Sequence, residues 1–217
     1  MIKAIIFDMD GVMFDTESLW VTYGKSLSKE LGYDVPEELF ISTVGIGNAE
    51  TKAIFDKNLN YSFPIIEFRN LYHKKINEMV LKGKIKEKYG LKELLVYLKN
   101  NKYKIAIGSS NIRKQINLYL KSAGISPDFF DIIISSDDVS NGKPSPEIYN
   151  KVVSYLNEKR ENVLILEDSL YGVVAGYKSG CRVIFIPDVI SLPKNIENLA
   201  YKKVSSLMEV IDILKNK

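Results

Sequence analysis

The chain is poor in the residues that staple small proteins together or hold transition metals: its 217 residues include one cysteine and one histidine. A lone thiol, Cys181, excludes an internal disulfide and a cysteine-based zinc site. Set between a glycine and an apolar run, it reads as a buried, inert side chain. The lone histidine, His73, lies in a lysine-rich stretch far from any strand-like run. It excludes a Ser–His–Asp triad and reads as a structural or surface residue. Long apolar runs are missing too, and none approaches the about 20 residues of a membrane span. The first run is short and interrupted by Asp8, so no signal peptide is expected and the cytoplasm is the expected location. Nor does one charge dominate: 30 Lys and Arg stand against 27 Asp and Glu, a net charge of +3. With no basic block interleaved with aromatics, this describes a solvated surface and argues against a nucleic-acid partner. No internal repeat or low-complexity tract is found, and a monomer is expected.

What the chain does have is a rhythm. Five short apolar runs, at 4–7, 104–108, 131–135, 163–166 and 182–186, each lead into a Gly, Ser or Asp cluster. Continuous β-branched runs suit strands buried on both faces. Helical patterns at 91–100, 113–124, 146–157 and 170–180 alternate with them, which predicts a parallel α/β sheet flanked by helices. The stretch between the first two runs is far longer than a crossover requires and shows only helical patterns, such as SLWVTYGKSLSKELG. It is expected to be an inserted α-helical subdomain.

Ligands of open parallel sheets sit beyond the carboxyl ends of the strands, so the residues after each run are the candidate site. They are Asp8 and Asp10; Ser109, Ser110 and Asn111; Lys143, in NGKPSPE; and Glu167 with Asp168. Singly, each has an ordinary explanation: a turn aspartate, an N-cap serine, a loop lysine. Asp137 and Asp138 are expected to be just such loop acids. Together, clustered carboxylates need a hard cation, and Mg2+ suits an oxygen-only set. The cation and Lys143 leave room for an anionic substrate, to which Ser109 and the Ser110–Asn111 turn can donate hydrogen bonds.

The ordered motifs DMDGVMFD, GSSN, GKPSPEIY and LEDS resemble the haloacid dehalogenase-like superfamily, nearest to β-phosphoglucomutase and the small sugar-phosphate phosphatases. The resemblance implies a Rossmann-like core at 1–15 and 86–217 and a helical cap domain at 16–85. It further implies Asp8 as the nucleophile, Asp10 as the general acid and base, Ser109 as a phosphate ligand and Lys143 as the group steadying both. Asp168, with Glu167 beside it, is implied to help hold Mg2+ with Asp8 and the main-chain carbonyl of Asp10. The second aspartate separates phosphoryl-transferring members from dehalogenases, so dehalogenation is not expected. Where mutase members carry a histidine, the chain has Trp20, which cannot relay a proton; this favours hydrolysis over the alternative, a hexose-phosphate mutase. The cap loop offers neutral Asn48 where mutases carry an arginine, which favours a monophosphate substrate. Lys74 and Lys75 read as a solvated helix face. The expected enzyme is therefore a phosphatase of a small phosphorylated metabolite, with Trp20 either lining the substrate or packing the cap.

Overall fold

The computed structural model describes residues 1–216. Five of its six parallel strands arise from the apolar runs: β1 Ala4–Phe7, β2 Lys104–Gly108, β3 Ile132–Ile134, β4 Val163–Glu167 and β5 Arg182–Phe185. Their order, with the edge strand β6 Lys202–Lys203, is β3-β2-β1-β4-β5-β6. The pleat divides the apolar residues between two layers. Ile5, Phe7, Leu164 and Leu166 face one core cluster, whereas Ala4, Ile6, Val163 and Ile165 face another. Helices α5 Leu91–Asn100, α6 Arg113–Ser122 and α10 Leu207–Lys215 cover the first face. Helices α7 Glu147–Leu156 and α8 Leu170–Lys178 cover the second, and α9 Lys194–Glu197 is a single turn beside them. Both faces are thus dry, which is why the strands read as unbroken runs rather than alternating ones.

The run at 131–135 keeps only its middle as strand. Asp131 uses its carboxylate to accept the Ile105 N–H at 2.7 Å, and Ser135 begins the next turn. In that turn Asp138 is pinned, accepting the Ser135 N–H and hydroxyl at 2.7 Å each. Strand β6 carries no apolar signal, being two exposed lysines, while β4 runs one residue further than its apolar stretch, to the fully buried Glu167.

Between β1 and α5 lie four helices, α1 Glu17–Glu30, α2 Glu37–Ile41, α3 Asn48–Asn58 and α4 Ile65–Leu81. They enclose their own aromatic cluster of Phe40, Phe55, Phe63 and Phe68. The Trp20 ring meets Phe40, Phe68 and Tyr72 edge-on, with centroids 5.7, 5.6 and 5.0 Å away. Farther along α4, Ile76 and Val80 join the sheet's core instead. The two connecting strands of chain are tied together: Asp15 N–H donates to the Lys86 carbonyl, and Lys88 N–H to the Met13 carbonyl, both at 2.9 Å. Lys88 also pairs with Asp188, beyond β5, at 2.6 Å.

Helix α8 approaches the sheet closely because two glycines face it. A Cβ at Gly172 would fall 1.8 Å from Glu167 Oε1, and one at Gly176 would fall 2.6 Å from Val183 Cγ2. Gly176→Leu is therefore expected to lower unfolding free energy by about 3 kcal/mol, the cost of overpacking a rigid interface. Urea denaturation measures it, and a change within about 0.5 kcal/mol would show that α8 can move off the sheet.

Candidate active site

The sheet order reverses between β1 and β4, and the crevice beyond their carboxyl ends is where this topology places ligands. Asp8 leaves β1 there, and Glu167 and Asp168 leave β4. Lys143 reaches in from the loop after β3, its Nζ donating to Asp8 Oδ1 at 2.5 Å and to Glu167 Oε1 at 2.6 Å. Tyr149, on α7, donates its hydroxyl to the same Glu167 oxygen at 2.5 Å. Glu167 Oε2 accepts from Asp168 N–H, Ser169 N–H and Ser169 Oγ at 3.1, 3.2 and 3.1 Å. Both oxygens of Glu167 are therefore committed to holding Lys143 and the start of α8. Asp10 is fixed differently: Thr16 Oγ1 donates to its Oδ1 at 2.6 Å and Asn111 Nδ2 to its Oδ2 at 2.5 Å.

Acids outnumber bases here. Burial first, then Glu167 and Asp10, push the Asp8 carboxyl up to about 8 despite Lys143. Burial likewise raises Asp10, against the pull of Thr16, Lys143 and Asn111. Asp168 is raised well above the carboxylate range by burial, Glu17, Glu167 and Asp8. Burial pulls the Lys143 ammonium down, but Asp8 and Glu167 more than offset it, and it stays charged.

Asp168 is 3% exposed, yet among the described residues it accepts no hydrogen bond from a side chain and pairs with no cation. A buried carboxylate without a partner is costly, and a cation is what would relieve it. Oxygens of Asp8, Glu167 and Asp168 lie within 4.8 Å of one another. With Glu167 committed, the free donors are Asp8 Oδ2 and the Asp168 carboxylate, and this set fits a hard divalent cation. Gly11, at a φ of +70°, allows the approach: a Cβ there would fall 1.9 Å from Asp168 Oδ2.

A cavity of about 460 Å3 opens over these groups. Of the residues singled out in the sequence, Asp8, Asp10, Trp20, Asn48, Ser110, Asn111, Lys143 and Asp168 line it. Glu167 and Ser109 lie behind the wall. Ser109 is fully buried and its hydroxyl accepts the Asn111 N–H at 3.1 Å, which holds the turn. Trp20 both lines and packs, its Nε1 donating to the Phe40 carbonyl at 3.2 Å and to Thr43 Oγ1 at 3.0 Å. His73 is exposed, as a surface residue would be, but its side belongs to the cavity wall, so the structural or surface reading is incomplete. Lys74 and Lys75 are exposed and off the wall. Sequence reasoning missed Tyr149, Thr16, Glu17, Arg69, Tyr72, Gln115 and Tyr119. Thr16 and Glu17 sit beside the first motif and Tyr149 inside GKPSPEIY, so proximity to a motif was the available signal.

The family model of the haloacid dehalogenase-like hydrolases matches residues 5–186. The chain belongs to that family. A phosphorylated carbohydrates phosphatase of Thermotoga maritima is 31% identical to this family member over 183 residues, which is 84% of each chain. CbbY from Rhodobacter sphaeroides, solved in complex with phosphate, is 26% identical, with a TM-score of 0.79 over 97% of this chain and 96% of that one. The fold recurs in a β-phosphoglucomutase from Clostridium difficile, 23% identical, with a TM-score of 0.78 over the full length of both. The T. maritima relative, a phosphatase, places this haloacid dehalogenase-like hydrolase among the enzymes that cleave phosphoric monoesters.

The raised Asp8 carboxyl fixes the sign of a pH effect. Below about 8 Asp8 keeps a proton that the unfolded chain would release, and a cation that binds must displace it. Because burial raises Asp168 as well, divalent-cation affinity should rise with pH by about tenfold or more per unit below that value. Thermal midpoints with and without Mg2+ across this range measure the effect; a stabilisation independent of pH would contradict the assignment of Asp8 to the cation.

Proposed function

We propose that the chain is a Mg2+-dependent phosphatase of small phosphorylated carbohydrates, working through an aspartyl-phosphate on Asp8. The observation that carries this reading is the contrast between the two aspartates. Asp8 offers one oxygen to Lys143 at 2.5 Å and leaves the other free, whereas Asp10 has each oxygen held by a neutral donor. Asp8 is thereby oriented as a nucleophile, with an ammonium to favour its ionised form. Asp10, raised by burial, is suited to carry a proton to the leaving alkoxide and then to take one from the attacking water.

Asp8, Asp168 and the main-chain carbonyl of Asp10 would hold Mg2+, which when bound supplies charge neutralisation for the phosphoryl oxygens. Lys143 adds to that neutralisation, and the turn after β2 adds the Ser110 N–H, the Asn111 N–H being held by the Ser109 hydroxyl. Glu167 acts through Lys143 rather than on the cation. Residues 16–85 serve as a cap that excludes bulk water from the cavity. Hydrolysis is favoured over mutase chemistry because Trp20 spends its N–H on Phe40 and Thr43 and has no proton to relay. The T. maritima relative, named for phosphorylated carbohydrates, supports the substrate class.

Asp8→Asn is expected to abolish Mg2+-dependent release of phosphate while circular dichroism stays native; retained turnover would remove Asp8 from the nucleophile role. Asp10→Asn should cut steady-state turnover by about 100-fold or more, the usual weight of a general acid. Full activity in that variant would contradict its role. With β-glucose 1-phosphate the wild type should yield free phosphate, and accumulation of glucose 6-phosphate would instead favour the mutase.

A further inference from the structure

Asn111 Nδ2 donates to Asp10 Oδ2 at 2.5 Å, a bond between residues 101 positions apart that joins the end of β1 to the turn after β2. The main chain of Asn111 is held on both sides of that contact. Its N–H donates to Ser109 Oγ at 3.1 Å, and its carbonyl accepts the Ser136 N–H at 2.9 Å from the turn after β3. At the start of α6 the Arg113 N–H donates to Asp137 Oδ2 at 2.8 Å, which ties the same two turns together again. With its peptide groups spent within the core, Asn111 lines the cavity from a fixed base.

The two donors on Asp10 differ in kind. A side-chain amide nitrogen only donates, so Asp10 Oδ2 stays an acceptor for as long as Nδ2 is bonded to it. Thr16 Oγ1, 2.6 Å from Oδ1, belongs to a hydroxyl and can donate or accept. Oδ1 is therefore the oxygen free to gain and lose a proton. The donors also differ in origin. Thr16 stands just before α1, at the entrance to the helical segment, whereas Asn111 belongs to a turn of the sheet itself. Through Asn111 the Asp10 carboxyl is fixed to the same strand ends that place Asp8.

We propose that Asn111 is the positioning residue of the acid and base Asp10, holding Oδ2 so that Oδ1 is presented to the leaving oxygen. The proposal rests on the reading of Asp10 as the proton carrier and names the group that aims it. As a bond forms from Asp8 to phosphorus, the ester P–O bond breaks. Its electron pair stays on the leaving oxygen, which takes the proton from Asp10 Oδ1. In the second step a water bonds to phosphorus and gives a proton back to Oδ1, while the P–O bond to Asp8 breaks and phosphate is released. Asn111 handles no proton and is not a catalytic residue.

Leaving groups that differ in their need for a proton test this. Benzyl phosphate and p-nitrophenyl phosphate are similar in size and carry no hydroxyl for Asn111 to bind, but only the benzyl alkoxide must be protonated as it leaves. The quantity compared is kcat/KM, which reports phosphoryl transfer to Asp8 and not the later hydrolysis. Asn111→Ala should lower kcat/KM about 30-fold for benzyl phosphate and about threefold or less for p-nitrophenyl phosphate, the order of loss expected when a general acid is misplaced. Partial unfolding or a lost substrate contact would lower both values alike and leave their ratio at the wild-type level. Asn111→Leu, similar in shape but without a donor, should lower the ratio in the same way should alanine loosen the turn. Lys114→Gln, exposed on α6, should leave it intact. Placed on Asp10→Asn, the Asn111→Ala change should alter the benzyl phosphate value by less than about threefold, as for residues that act as a unit. A wild-type ratio in both Asn111 variants, or losses that add in the double variant, would overturn the proposal alone, provided Asp10→Asn lowers the ratio. A wild-type ratio in Asp10→Asn would sink the reading of Asp10 as the acid, and the proposal with it.

Discussion

Lys143 lies buried between Asp8 and Glu167, 2.5 and 2.6 Å from their oxygens, and this triad couples the fold to the site. An ammonium and two carboxylates are expensive to take out of water unless each is paired and hydrogen-bonded. Glu167 meets that condition through Tyr149, Ser169 and two main-chain N–H groups. Removing one member would strand a charge at a cost of about 3–5 kcal/mol. The requirement reaches outward into the layers. Helix α7 must bring Tyr149 under Lys143, and α8 must present glycine at Gly172, because any side chain there would occupy the position of Glu167.

Charge imbalance organises the rest. Asp8, Asp10, Glu17, Glu167 and Asp168 crowd one end of the cavity with a single ammonium among them, and burial pushes Asp8 and Glu17 up to about 8. Such an arrangement is unfavourable on its own and becomes favourable with a cation and an anionic ligand in place. The helical segment meets the core beside these groups. Its loop before α3 rests on the core, where a Cβ at Gly45, φ +70°, would fall 2.6 Å from the Ser169 Cβ. The segment therefore touches the core at the residue that also steadies Glu167.

The sheet was legible because both of its faces are covered: β1, β2, β4 and β5 announce themselves as apolar runs, and Asp8 and Asp168 stand out by ending them. Depth was harder to read. Ser109 and Glu167 have the same motif credentials as Asn111 and Asp168, yet their side chains turn into the protein and act by holding neighbours. The strand β6, made of two lysines, carries no pattern at all. Arg69 was missed because its meaning depends on which side of α4 meets the cavity. The apolar stripe Ile65, Phe68, Tyr72 and Ile76 supplies that orientation in retrospect: Arg69 and His73 flank it at i+1, whereas Lys74 and Lys75 fall outside the wall. A helical residue next to the buried stripe, rather than opposite it, was the usable signal.

The claim on which the account turns is that phosphorus passes through a bond to Asp8. Acid quenching during steady-state turnover, followed by peptide mass analysis, tests it directly, since an acyl phosphate survives brief acid. One phosphoryl group is expected on the peptide carrying Asp8 and Asp10, assigned by fragmentation to Asp8 and absent when Mg2+ is chelated. Turnover that continues with no phosphoryl group on that peptide, or with the label on another residue, would contradict it.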